Sequence, residues 1–400
     1  MAATSPDAVE RYLVLGLSLG RHLDGLVDAY YGPPALARRV EDAPPVPLSA
    51  LVADARRLVA DLDGGVDPDI DLARRSWIRA QVVGLLTVAR KLAGEDIAYR
   101  DEVESCYGVR PTAVPEDELA AAHRRLDSVL PGSGPVAERY IAWRDAQTVP
   151  PDRLEAAVLS LADDFRERTQ RRWGLPDGEH VEFMFERDKP WSGFNYYLGD
   201  LRSRVAINVD LPVLGPTLPQ LVAHEAYPGH HTEHSRKEVG LVRRRDLLEE
   251  TIFLVGTPQC LLAEGLADLG LEVVVPGGPA ARAQVAAEHL KRLGVPFDPE
   301  VVATAGEAAD GLGRARGNVA LLLHEEGADE DEAVAYAERW LLLSRPRAQK
   351  LVSFLTDPTW RAYMTCYVEG LPLCRQFVDG DPARFERLIT EQLTPDQLAA

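Results

Sequence analysis

His224-Glu225-Ala226-Tyr227-Pro228-Gly229-His230-His231 places a His–Glu pair and two further histidines in one short stretch of a 400-residue chain. Four of the nine histidines fall between positions 224 and 234. Such a cluster reads as a divalent-metal site with a built-in general base, which points to hydrolysis. In the common His-Glu-x-x-His helix the two histidines stand four residues apart and share a face. Here the position of the second histidine, 228, is proline. His230 follows His224 by six residues, a turn of roughly 240° in an ideal helix, away from the first imidazole. His231 returns to nearly the same face but about 10 Å along the axis, too far for both to bind one ion. A metal site therefore requires the helix to break or bulge, and Pro228-Gly229 supplies the means: proline removes an N–H and glycine admits unusual dihedrals. The competing reading is a plain Pro-Gly helix stop that leaves His230 and His231 in solvent at the helix end.

A second element supports the metal reading. Leu261-Leu262-Ala263-Glu264-Gly265-Leu266-Ala267-Asp268-Leu269-Gly270-Leu271 is an apolar helix into which Glu264 is set. An ionised carboxylate buried there needs an ion or a donor, and a metal is the economical partner. Asp268, one turn later on the same face, is placed to orient a ligand histidine. The alternative partner for Glu264 is an arginine of Arg243-Arg244-Arg245.

Composition narrows the function. The chain is 46% hydrophobic and 27% charged, as expected of a globular protein with a real core. A net charge of −19 argues against a nucleic-acid partner. No apolar run approaches the ~18 residues of a membrane span. Asp7 and Glu10 precede the apolar stretch 11–17, where a secretory signal would carry positive charge. Cys106, Cys260, Cys366 and Cys374 form no Cys-x-x-Cys pair and read as reduced thiols, so a cytoplasmic location is expected.

Helical periodicity dominates, with helices expected over 6–30, 48–62, 71–93, 116–130, 135–147 and 151–172. Residues 174–213 differ. Val181–Glu186 and Arg204–Asp210 alternate at period two, with Gly199-Asp200 as a turn between them, and predict one small antiparallel sheet. Val205, Ile207 and Val209 are expected inward, and Ala206, Asn208 and Asp210 outward. Helices resume at about 217 and continue to the end. The expected fold is mainly α: a zincin-like helical arrangement with one small antiparallel β-sheet ahead of the metal-binding helix. It divides into an N-terminal helical region, 1–173, and a catalytic region, 174–400, within one compact unit. The catalytic region comprises the sheet at 174–213, metal helices over 217–275 and C-terminal helices over 279–400.

The motif, followed about forty residues later by Glu264-Gly265, resembles the bacterial family called domain of unknown function 885. The likeness covers about 190–378. It implies a helical zinc-dependent peptidase related in fold to the oligopeptidase zincins, with His224, His230 and Glu264 holding one Zn²⁺ and Glu225 as general base. Leu323-His324-Glu325-Glu326-Gly327 resembles a family segment with a histidine at a helix end, and Tyr367-Val368-Glu369-Gly370 its C-terminal Tyr-x-x-Gly. The chain departs from the family at Leu266 and Leu269, where aromatics are usual, and at Thr232-Glu233. Those departures bear on the substrate pocket more than on the metal.

A tetrahedral intermediate needs donors aimed at its oxyanion. Tyr367 and His324 are the candidates, with Tyr363 and Arg361 in reserve. The strand at 204–210 is expected to offer a free edge to an extended peptide. The leading expectation is a zinc peptidase acting on short peptides. A hydrolase of a non-peptide amide or ester, and a non-catalytic metal-binding relative, are the alternatives.

Overall fold

Apolar residues at helical spacing do form helices along most of the chain. The computed structural model describes residues 7–399 other than 66, 68, 69 and 190, so the ends of the expected 6–30 and 279–400 regions lie partly outside it. Helices run over Leu48–Gly64, Leu72–Leu92, Glu116–Val129, Val136–Asp145 and Pro151–Trp173, close to the expected spans. Their ends have local causes. The Asp71 side chain accepts the Arg74 backbone N–H at the start of the 72–92 helix, and Gly65 closes its predecessor at φ +63°. No helix among the described residues is long and apolar enough to cross a membrane.

Five strands are described: β1 (Val27–Tyr30), β2 (His180–Glu186), β3 (Gly193–Gly199), β4 (Arg202–Asn208) and β5 (Ile252–Leu254). β1 corrects the expected 6–30 helix, which ends at Gly20. β1 pairs antiparallel with β5, more than two hundred residues away, so nothing local announces it. The other sheet is mixed rather than antiparallel. Its order is β2-β4-β3, with β2 parallel to β4 and β3 antiparallel to it. Alternation specifies a strand but not its neighbour or direction. The turn at Gly199-Asp200 lies where expected, with φ of +73° and +51°.

Strand order changes the reading of β4. It is the central strand, so the free edge expected on it is already paired. Val205 and Ile207 are buried as expected, but so are Ala206 and Asn208, because both faces are covered; Asp210 is exposed. Asn208 donates from Nδ2 to the carbonyls of Lys189 and Trp191, 2.8 Å each, which ties down the loop leading into β3.

Three apolar clusters fill the interior. The largest joins N-terminal helices to residues 252–263 and 305–368. A second packs Pro151–Trp173 against Ile207, Val222, Ala223 and the Gly278–Arg292 helix. A third holds Trp173 and the C-terminal helices. The Pro258–Val274 helix touches all three: Leu261 and Ala263 enter the first, Leu266 and Leu269 the third, and Val274 the second. A helix enclosed over most of its surface is apolar over most of it, which explains its composition; its partly exposed end carries Asp268 and Glu272.

Candidate metal centre

The helix carrying His224 and Glu225 spans Leu218–Glu225 and stops there. Ala226 turns the chain at φ −118°, ψ −82°, and Gly229 at φ −74°, ψ −136°. A second helix, His230–Lys237, then begins. The Gly229 N–H still reaches back to the Ala223 carbonyl at 2.9 Å, so the break is held by its own hydrogen bond. A Cβ on Gly229 would stand 1.9 Å from the His224 carbonyl oxygen; no side chain fits there. Pro228-Gly229 thus interrupts the helix, and the two segments bring His224 and His230 face to face.

Ligand-type atoms of His224, His230 and Glu264 lie within 4.8 Å of one another, all three residues buried. The two Nε2 atoms are 3.1 Å apart, and each lies 3.3 Å from a Glu264 carboxylate oxygen. His224 Nδ1 meets Asp268 Oδ1 at 2.9 Å, a contact that holds a proton on Nδ1 and turns Nε2 toward Glu264 as the nitrogen that would bind a metal. Glu264 Oε2 is sealed from solvent without a hydrogen-bond partner. Two imidazole nitrogens beside a buried carboxylate, one at each of its oxygens, is a donor set suited to a divalent metal, and His₂Glu is a set used by catalytic zinc. The arginine alternative for Glu264 is not realised: Arg243 pairs with Glu238.

Electrostatics follow from this crowding. Burial pushes the Glu264 carboxyl up, but the imidazoles of His230 and His224 outweigh it and hold it well below the usual carboxylate range. Burial opposes protonation of His224, yet Glu264 and Asp268 raise its pKa well above the ordinary value. Glu225 is raised by burial, with Glu264 and Asp268 adding and the two imidazoles opposing. It ligates nothing in the converging set and faces the same pocket. Gly193 of β3 lies against it, where a Cβ would come 2.8 Å from Oε1.

Tyr363 donates its hydroxyl to Glu264 Oε1 at 2.5 Å, so it orients the carboxylate rather than standing ready for an oxyanion. Tyr367 lines the pocket, its ring 6.3 Å from that of His224. Burial keeps the Tyr367 phenol protonated far above neutral pH, as a donor must be. Both tyrosines reach the site because the Pro258–Val274 and Met364–Val378 helices nearly touch. A Cβ on Gly265 would meet the Gly370 carbonyl oxygen at 2.3 Å, and one on Gly370 the Leu261 carbonyl oxygen at 2.7 Å. Both glycines of the Glu-Gly and Tyr-x-x-Gly motifs are therefore contact points between backbones.

His324 is a correction. It lines a different cavity together with Arg361, its Nε2 2.8 Å from the Leu355 carbonyl oxygen and its ring beside Tyr99. Burial and the nearby Arg361 and Lys91 cations push its pKa down to about 4. Arg361 pairs with Glu102 and likewise stays away from the metal pocket. His231 is fully buried between Ser203 Oγ and Glu179 Oε2, 2.8 Å from each, and ties the second helix to β4. Leu266 and Leu269 pack into the third apolar cluster and do not line the pocket.

Sequence reasoning missed other pocket residues: Asp28, Trp191, Phe194, His234 and Trp360. His234 stands four residues after His230, a helical spacing that signals a shared face, and it stacks on Tyr197. Burial and the neighbouring His230 and Lys237 cations hold it neutral. Asp28 had no local signal at all.

No family model matches the sequence, and neither does any curated protein. Among solved structures, the chain resembles one described as "the putative lipoprotein from Colwellia psychrerythraea", at 15% identity and TM-score 0.54, over 88% of this chain and 68% of that one. The Pyrococcus furiosus carboxypeptidase aligns over 96% of this chain and 90% of its own, at 11% identity and TM-score 0.40. The M32 carboxypeptidase from Deinococcus radiodurans aligns over 98% and 93%, at 14% identity and TM-score 0.40. Alignments at that score carry no argument about this chain. What it shares with the Colwellia protein, at so low an identity, is its mainly helical fold.

Proposed function

We propose that this chain is a metal-dependent hydrolase, with zinc as the ion and peptide amides as the substrate. The observation that carries the reading is the convergence of His224, His230 and Glu264, with Glu225 beside them and bound to none of them. A metal held by those three residues would supply Lewis acidity, acidifying water and polarising the scissile carbonyl. Asp268 keeps the His224 proton on Nδ1, and Tyr363 holds Glu264 in place. Glu225, its pKa raised, accepts the proton of the attacking water and passes it to the leaving amine. Tyr367 donates to the developing oxyanion.

The peptide preference rests on β3 rather than β4. β3 hydrogen-bonds only to β4 within its sheet, and its Gly193–Asn195 end lines the pocket, so an extended chain can add along it toward Glu225. One feature favours a second reading, hydrolysis of a small non-peptide amide or ester: the free volume at the pocket centre is only about 30 Å³.

Glu225→Gln is the direct test. The purified wild type is expected to carry close to one zinc per chain and to cleave members of a peptide library. The variant is expected to keep the metal and lose at least about 10²-fold in rate. Loss of the metal in the variant would reverse the assigned roles, and a library left intact by zinc-loaded wild type would favour the smaller substrates.

A further inference from the structure

We infer that Asp28 anchors a cationic amine, so that the pocket takes peptides by their free amino terminus; this rests on the peptidase reading above. The register of β1 with β5 shifts between Val27 and Ala29, which leaves Asp28 as the extra residue of a bulge. A bulge re-aims a side chain, and bulges recur beside active sites for that reason. Here the bulged residue is a carboxylate on the wall of the metal pocket. Its Oδ1 is sealed from solvent with no hydrogen-bond partner, and it belongs to no ion pair among the described residues. It also lies outside the converging ligand set, so the metal does not satisfy it.

Asp28 is half-buried, but a carboxylate oxygen sealed from solvent without a donor is costly, and the missing partner is a donor that arrives with the ligand. No lysine or arginine is among the described residues that line the pocket, and the one positive group that acts on Asp28 there, His230, belongs to the converging ligand set. The surrounding walls suit an ammonium group. Trp191, Phe194, Phe354 and Trp360 line the same space, and Trp191 already holds the Lys189 ammonium over its ring at 5.8 Å.

The test measures binding and needs no turnover. Zinc-loaded full-length protein carrying Glu225→Gln is titrated by calorimetry with L-leucinamide, N-acetyl-L-leucinamide and 4-methylpentanamide. The free amine is expected to bind about tenfold tighter or better than either neutral analogue, the size of one buried charge-assisted contact. Adding Asp28→Asn is expected to erase that preference while leaving the neutral analogues within about twofold. Equal affinities in the Asp28 protein, no binding of any of the three, or a preference that survives Asp28→Asn would overturn the inference. The analogue series stands by itself if Asp28→Asn fails to fold. A wild type that prefers the amine yet cleaves no peptide would sink the peptidase reading and leave the anchor intact.

Discussion

Asp268 touches the candidate metal only through His224, and that makes it the residue that separates orientation from ligation. Asp268→Asn keeps the size and loses the charge that fixes the His224 tautomer, so zinc affinity is expected to fall about 10–100-fold in competition with a chelator. An unchanged affinity would mean that His224 is held by packing alone. His324 allows a different kind of forecast. Its folded pKa of about 4 lies below the ordinary 6.5, so the unfolded chain takes the proton first. The stability from neutral His324 is complete above pH 6.5 and is lost as pH falls toward 4. Melting at about pH 7.5 and about pH 4.5 should show the wild type losing more stability than His324→Asn across that interval. The three converging residues were legible because histidines and a lone glutamate stand out against local composition. Asp28 was not, because only pairing with β5 reveals the bulge that aims it.

Among the elements, the two helices that carry Glu264 and the tyrosines depend on glycine where they cross. Gly265→Ala or Gly370→Ala would place a methyl group inside the opposing backbone, at a cost of about 1–3 kcal/mol or more. The helices would part, and Tyr363 would withdraw from Glu264. Denaturant titration together with zinc stoichiometry is the check, and a variant of wild-type stability would show that the crossing can relax. The break before His230 was readable in advance, since Pro228-Gly229 cannot continue a helix. The sheet was readable only as strands. Nothing in Val181–Glu186 or Arg204–Asp210 specifies that β2 and β4 run parallel, so a free edge was expected on β4, which is the central strand.

Across the whole molecule, the candidate ligands come from segments that meet only in the folded chain, so zinc held by them would bind the native state and not the unfolded one. Such linkage stabilises by about 2.7 kcal/mol at a hundredfold excess over Kd. Removing zinc with a chelator should therefore lower Tm, and restoring it should reverse the change. An identical Tm with and without metal would argue against the site. The mainly helical class was plain from periodicity, whereas the way three apolar clusters share one helix depends on contacts between distant segments.

That shared helix has a kinetic corollary. Pro258–Val274 is buried without a break from Pro258 to Ala267, and only Asp268 and residues 271–273 are partly exposed, so its first half has no solvent face from which to fray. Its inner amides open only when all three clusters let go, and they should be among the slowest in the chain to exchange with solvent deuterium. Glu264 sits in the middle of that segment. Motion of that segment would then be a slow route of escape for an ion held by the carboxylate.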